Sequence, residues 1–314
     1  MPRQQIELHG VASQTLYPGG QIENCKLSEP NEIETVCGRL IPRWSKPDMR
    51  RKELKSLSFY RSGAVRSISL EKQTNIETSL GVFPAELVTF YEDGALESVF
   101  PLDGQIGFGW SEKDEFAFAE DVEFDFLFGS FCVKPVGLRF YNSGSLRSLI
   151  LWPGERIILT TPAGNITVRI GFRLYENGTL ESIEPAIPTA IQTPIGLVSV
   201  YDGNALGIDA ELNSLRFDNR GILTQFSTSG DILVKNRETG QRQLFSSLPK
   251  RGISDDDIFK MPIVVKLSDD TVTLDDKKTN MTFQVNRCDY LFLPDFSGTT
   301  DRCSDGCEGC SGCM

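Results

Sequence analysis

The chain has 314 residues, of which 39% are hydrophobic and 24% charged, with a formal net charge of −11 at pH 7. That composition excludes a disordered chain, and apolar runs such as Leu149–Trp152 and Ile157–Leu159 are far too short to span a bilayer. The acidic balance argues against nonspecific binding to nucleic acid or anionic lipid, because both need a basic surface to neutralise phosphate.

The first residues, Met1-Pro2-Arg3-Gln4-Gln5-Ile6-Glu7, lack the apolar stretch of a signal peptide, so a cytoplasmic protein is expected. From residue 9 onward one motif recurs: an aromatic, two turn residues, a glycine, one residue, an aliphatic, and often a serine two positions later. It begins as Leu16-Tyr17-Pro18-Gly19-Gly20-Gln21-Ile22 and returns as Phe59-Tyr60-Arg61-Ser62-Gly63-Ala64-Val65. Later copies are Phe90-Tyr91-Glu92-Asp93-Gly94-Ala95-Leu96, Phe140-Tyr141-Asn142-Ser143-Gly144-Ser145-Leu146 and Leu174-Tyr175-Glu176-Asn177-Gly178-Thr179-Leu180. The sixth is Phe217-Asp218-Asn219-Arg220-Gly221-Ile222-Leu223. Alternating apolar residues flank each turn, which is strand patterning, and the Asp-Gly, Asn-Gly and Ser-Gly pairs predict tight two-residue hairpin turns with positive φ.

A second turn lies between successive copies of the first. Its glycines are Gly38, Gly81, Gly129, Gly164 and Gly196, with a degraded copy at Gly230. Thr161-Pro162-Ala163-Gly164 and Thr193-Pro194-Ile195-Gly196 show its chemistry, with proline pre-setting φ at the second turn position. In three copies the two glycines are 18 residues apart, a regularity that predicts stacked modules, none of which buries its apolar face alone.

The expected organisation is a six-unit hairpin array over 9–234, with an insertion at about 103–123 in the third unit. The insertion holds Gly107-Phe108-Gly109-Trp110 and an acidic stretch, and predicts a loop with one or two helical turns. A second excursion covers Tyr201 to Ser214. Arg50-Arg51-Lys52 reads as a solvated linker. Three strands, near Ile263–Leu267, Thr271–Leu274 and Met281–Val285, predict a β cap or small β domain over 258–296, and a Cys-rich tail occupies 297–314.

No catalytic constellation is expected. The lone histidine, His9, lies beside a glycine at the frayed start of the array. No GxGxxG motif joins a strand to a helix, and there is no P-loop. The insertion carboxylates Glu112, Asp114, Glu115, Glu120 and Asp121 could include an acid and base pair, but such a run reads first as a solvated face.

The tail carries Cys303, Cys307, Cys310 and Cys313 in a C-x3-C-x2-C-x2-C spacing, with glycines before three of the four. Soft thiolates at that spacing suit an iron–sulfur cluster first and zinc second, with Cys288 as a further candidate ligand. Cys25, Cys37 and Cys132, with Cys288, are expected as free thiols in the core or under loops.

The first motif resembles the MORN repeat in its bacterial variant form, a Tyr-x-x-Gly-x-Leu core, with His9-Gly10 before the first copy. That resemblance covers roughly 9–228 and implies a row of antiparallel hairpins acting as a scaffold or binding surface. The fold expected is therefore all-β: an extended antiparallel sheet or solenoid of six two-hairpin repeats, with a β cap and a Cys-rich tail. The function expected is a non-enzymatic scaffold for a protein partner, without nucleic acid or membrane, carrying a C-terminal thiolate metal or iron–sulfur site. The alternatives are an electron-transfer or metal-delivery protein and a carboxylate hydrolase built on the 103–123 insertion.

Overall fold

The structure is a computed structural model that describes residues 6–205, 210, 213–251 and 258–293. The fold is all-β and antiparallel, with one short α-helix, Glu112–Phe118, among the described residues. No helix among them is long and apolar enough to cross a membrane. Backbone contacts divide the chain into two compact units, Met1–Thr189 with Ala205–Phe226 and Ala190–Asn204 with Ser227–Met314.

In the first unit the six first-motif hairpins lie side by side in sequence order. They are Val11–Leu16 with Ile22–Leu27, Leu57–Phe59 with Val65–Thr78, and Gly81–Phe90 with Leu96–Phe100. Then come Pro135–Phe140 with Leu146–Leu151, Gly164–Leu174 with Leu180–Pro185, and Leu215–Phe217 with Leu223–Thr228. One face of this sheet carries the core: Phe90, Phe140, Phe172, Phe217 and Phe226 are fully buried. Alternation along each strand makes this face the apolar one.

The first turns differ from the expected two-residue type. Among the described residues only Ile170 and Lys277 are non-glycine positions with positive φ, so no Asp or Asn of these turns has the required conformation. Instead the first turn residue donates its N–H to the carbonyl four positions on, as in Tyr60 to Ala64 and Tyr141 to Ser145, both at 2.8 Å. The glycine N–H donates back to the first residue, as in Gly63 to Tyr60 at 2.9 Å. This is a wider loop closed by a left-handed glycine, with Gly63 at φ 82° and Gly94 at φ 96°. A bulge follows at the same place in every copy, with Glu23, Arg66, Glu97, Arg147, Glu181 and Thr224 as the inserted residues.

The second turns are the tight ones. Thr78 pairs with Gly81 and Thr161 with Gly164, leaving two residues in each turn. The threonine hydroxyl donates to the glycine carbonyl and accepts the N–H of the intervening residue. For Thr161 these bonds are 2.8 Å to Gly164 and 3.1 Å from Ala163, and Thr35, Thr78 and Thr193 repeat the pattern. In the third copy Phe126 replaces the threonine, and Phe124, Phe126, Phe128 and Phe131 cluster there. Phe128 meets the Phe172 ring edge-on at 5.2 Å between centroids. Pro162 Cγ likewise lies 3.1 Å from where a side chain on Gly221 would begin. Each of these second hairpins therefore reaches the first-motif hairpin two copies further along.

Strand Gly164–Leu174 serves both turns, and a bulge between Arg169 and Phe172 bends it. Gly171 is required there: at φ 125° an added Cβ would sit 1.9 Å from the Leu149 carbonyl oxygen. Ile170, at φ 70°, carries the strain beside it. Its side chain packs with Ile150 and Ala210, and that burial offsets the cost.

In the second unit, hairpin Thr189–Thr193 with Gly196–Val200 continues the second-turn chemistry. Asp231–Asn236 pairs with Arg242–Phe245 and Cys288–Leu293. The predicted cap strands appear as Ile263–Leu267, Thr271–Asp275 and Asn280–Gln284, joined as two hairpins.

Candidate functional site

Cys303, Cys307, Cys310 and Cys313 lie outside the described residues. Among the described residues no group of three or more His, Cys, Asp or Glu side chains is placed to hold a metal ion. Cys288 is 3% exposed, and burial raises its thiol pKa. Cys25 is also buried and Cys37 partly so, whereas Cys132 is exposed, against the expectation of a sheltered position. His9 is not frayed: its backbone N–H and carbonyl are both bonded to the Asn31 side chain, at 2.8 and 2.9 Å.

The insertion forms a buried ion cluster. Ser111 caps the helix in a reciprocal box with Asp114, and Glu112 and Asp114 stay exposed. Glu115 turns inward and is 2% exposed. Arg50 clamps it, Nε to Oε2 and Nη2 to Oε1 each at 2.8 Å, and grips Glu86 with the other side of the same guanidinium at 2.8 and 2.9 Å. Trp110 Nε1 adds a bond to Glu115 at 2.9 Å, and the Phe118 ring covers Arg50 at 4.6 Å. Next to it Arg51, 7% exposed, pairs with Asp103 at 3.0 Å and donates to the Leu70 carbonyl at 2.9 Å. Arg50 and Arg51 are therefore structural, not the solvated linker that three adjacent charges suggest. Burial by itself would lower the Arg50 pKa, but the hydrogen bonds and charges of Glu86 and Glu115 outweigh it and hold it above the ordinary value. Both oxygens of Glu115 are thus engaged, while Glu120 and Asp121 are exposed, so the insertion carboxylates do not converge.

Residues of the insertion and of the second excursion pack on the second face of the sheet. Leu102, Ala119 and Trp152 form one cluster with Phe116 and Val136, and Ile150, Ile170 and Ala210 form another with Val136 and Ala205. Beside it the buried Glu184 accepts from Ser214 N and Oγ at 2.8 and 3.0 Å.

Nearer the first turns, that second face carries an unbroken row of cross-strand partners. It runs Thr15, Asn24, Ser58, Ser67, Thr89, Ser98, Arg139, Ser148, Arg173, Ser182, Arg216, Gln225. Every member is polar. Copies one to three contribute neutral side chains, copies four and five alternate arginine with serine, and copy six pairs Arg216 with Gln225. The tyrosines line the row and fasten it. Tyr17 donates its hydroxyl to the Phe59 carbonyl at 2.8 Å, Tyr60 to Phe90 at 2.9 Å and Tyr91 to Phe140 at 2.9 Å. Tyr141 reaches Leu174 at 2.8 Å and Tyr175 reaches Phe217 at 2.9 Å. Each copy is thereby tied to the next through the carbonyl just before the next first turn. The sixth copy has Asp218 where the tyrosine would be, and its carboxylate caps its own turn instead, accepting from Arg220 N and Ile222 N at 2.9 Å.

On the other side of the array, a cleft of ≈ 600 Å³ lies between the first copy's second turn and the first turns of copies two and three. Glu32, Glu34, Glu92 and Asp93 line it, and Arg39 pairs with Glu34 at 2.8 Å and Glu32 at 3.1 Å.

Motif reading of the sequence misses both the polar row and the ion cluster. The row has a signal: with the six copies aligned on their glycines, the position before each turn aromatic or aliphatic reads Thr15, Ser58, Thr89, Arg139, Arg173, Arg216. The ion cluster has none, because Arg50, Glu86 and Glu115 are 36 and 29 residues apart and belong to no copy-to-copy pattern. Comparison of the chain with protein-family models, with curated proteins and with solved structures returned no match of any kind.

Proposed function

We propose that this chain is a non-enzymatic β-repeat scaffold of MORN-like type, working in the cytoplasm, whose sheet face binds a protein partner. The observation that carries this reading is the tyrosine-fastened polar row. Five hydroxyl bonds tie six hairpins into one platform, so the side chains that reach the surface among its buried serines are held without further ordering cost. The C-terminal thiolates Cys303, Cys307, Cys310 and Cys313 form a metal site, iron–sulfur before zinc, on the strength of their spacing alone.

Two experiments test the two parts. A photo-crosslinking residue at Ser143, on the turn of the fourth copy, should yield one discrete protein adduct in extract of the native host. The same probe at Lys278 should yield none; identical patterns at both positions would sink the scaffold reading. For the tail, metal and acid-labile sulfide are measured on protein purified without oxygen, beside a chain truncated after Thr300. Iron and sulfide in equal amounts, only in the full-length chain, are expected. No stoichiometric metal in either would remove the thiolate site.

A further inference from the structure

A second turn and the first turn two copies on stay apart at the start of the array. In the fourth copy they meet: Pro162 Cγ lies 3.1 Å from where a side chain on Gly221 would begin. The matching pair in the first and third copies is Val36 and Gly94. Val36 is 68% exposed, and nothing lies within 4 Å of where a side chain on Gly94 would begin. The space left between these turns is the cleft of ≈ 600 Å³, within the size range of ligand clefts. Its apolar lining is Val36, the half-buried Ala64 and Val65, and the buried Ile33 and Phe90.

Five carboxylates line the same cleft, and no lysine or arginine does so among the described residues. Glu32 and Glu34 come from the first copy's second hairpin and Glu7 from the segment before the array. Glu92 and Asp93 are the turn residues of the third copy, the only one of the six with a carboxylate at both positions. Two cations lie near. Arg39 is shared between Glu34 and Glu32, at 2.8 and 3.1 Å, and Arg61 lies over the Tyr17 ring at 5.6 Å. Glu7, Glu92 and Asp93 are left without a counter-ion among the described residues. Asp93 accepts from Asn142 Nδ2 at 2.7 Å and Ala95 N at 3.0 Å, and these bonds, Asn142 first, hold its carboxyl below the usual carboxylate range. The carboxylates do not converge: among the described residues no group of three or more is placed to hold a metal ion. Separated anions round an apolar base suit a chain with separated cations and an apolar side chain between them. Nucleic acid and anionic lipid carry the wrong sign.

We propose that this cleft binds a basic segment of a partner protein, seating an aliphatic side chain against Val36 and Val65 and pairing the flanking cations with Glu7 and Glu92. Asp93 adds its charge to the site while staying bonded within its own turn and to Asn142. Arginine fits better than lysine, because its planar fork pairs bidentately with a carboxylate. The site is separate from the polar row and goes beyond the scaffold reading, adding a second surface with its own ligand chemistry.

The test is fluorescence anisotropy with the full chain and a labelled Gly-Arg-Leu-Arg-Gly peptide. Saturable binding that weakens with salt is expected, with weaker binding of Gly-Arg-Ser-Arg-Gly and none of Gly-Glu-Leu-Glu-Gly. The double variant Glu7→Gln/Glu92→Gln should lose about tenfold in affinity, while Glu176→Gln, on the first turn of the fifth copy, should lose nothing. Val36→Trp fills the cleft without removing a charge and should weaken binding as well. Equal affinity for the leucine and serine peptides, or affinity untouched in both the double variant and Val36→Trp, would overturn the proposal. So would binding that appears only in Arg3→Gln, which would make the chain's own first residues the occupant. A dimer abolished by Glu7→Gln/Glu92→Gln, with no peptide binding, would make a second copy the occupant and overturn it too. A discrete crosslink at Ser143 without peptide binding would overturn this inference and leave the scaffold standing; peptide binding without that crosslink would do the reverse.

Discussion

The tyrosine ladder and the Arg50 cluster hold the same unit together by opposite means. The ladder is repeated, neutral and sequential: each bond joins one hairpin to the next, and losing one leaves the others intact. The cluster is singular, charged and long-range. One guanidinium bridges the 42–54 segment, strand Gly81–Phe90 and the insertion helix, and removing it strands two buried carboxylates. Repetition thus spreads stability thinly, whereas an insertion that belongs to no repeat must be fixed by its own dedicated partners.

The largest effect is expected from Arg50→Ala. It should destabilise the unit by about 3–5 kcal/mol, since Glu86 and Glu115 would stay buried without a counter-charge. Denaturant titration measures this, and the triple variant Arg50→Ala/Glu86→Gln/Glu115→Gln should recover part of it. If the single variant lost under about 1 kcal/mol, the cluster would be ornamental, like most surface pairs.

Cys25 shows the opposite treatment of an ionisable group, with burial as the dominant influence on it. Burial pushes its thiol up to about 11, only partly offset by a backbone hydrogen bond from Leu57. The folded state therefore keeps the proton after the unfolded chain has lost it. Its contribution is complete below about pH 9 and is lost as pH rises toward 11, by up to roughly 2–3 kcal/mol. The stability difference between the native chain and Cys25→Ala, followed from pH 8 to 11, should shrink over that window; a flat difference would contradict the burial argument.

Tyr91→Phe removes one rung, the bond to the Phe140 carbonyl, and should cost about 1 kcal/mol by the same titration. Combined with Tyr175→Phe, the losses should add, since the two rungs share no partner. A strongly cooperative double loss would make the ladder behave like the cluster and erase the contrast.

The smallest change is Thr161→Val, which deletes the hydroxyl that closes one second turn. It should cost about 0.5–1 kcal/mol, measured as a shift in thermal midpoint. The third copy shows that the turn survives without the hydroxyl, because Phe126 occupies that position and its ring stacks on Phe128 at 5.1 Å.

By itself the sequence determined the class of the fold, the six first-motif hairpins and their order, the second turns at their Thr-x-x-Gly positions, and the cap strand Ile263–Leu267 to the residue, whereas the degraded sixth second turn at Gly230 closes no hairpin, since Asp231–Asn236 pairs with Arg242–Phe245 and Cys288–Leu293. Those features are local: period-two patterning, glycine where φ must be positive, threonine or proline where a turn must close. Tertiary structure decided the rest. The first turns widened because Asp93 and Asn177 keep negative φ and glycine alone carries the left-handed position, which inserts the bulge that sets Ser98 and Arg139 opposite each other. Tyrosine at the head of each turn could be counted in the chain, but its acceptor belongs to the next hairpin and exists only once the sheet forms. Asp218 stands where the other copies carry tyrosine, and its carboxylate caps its own turn. Arg50 and Glu115, separated by 65 positions, met because burying an insertion against a sheet demands a partner for every charge taken from water, and no local pattern can specify which.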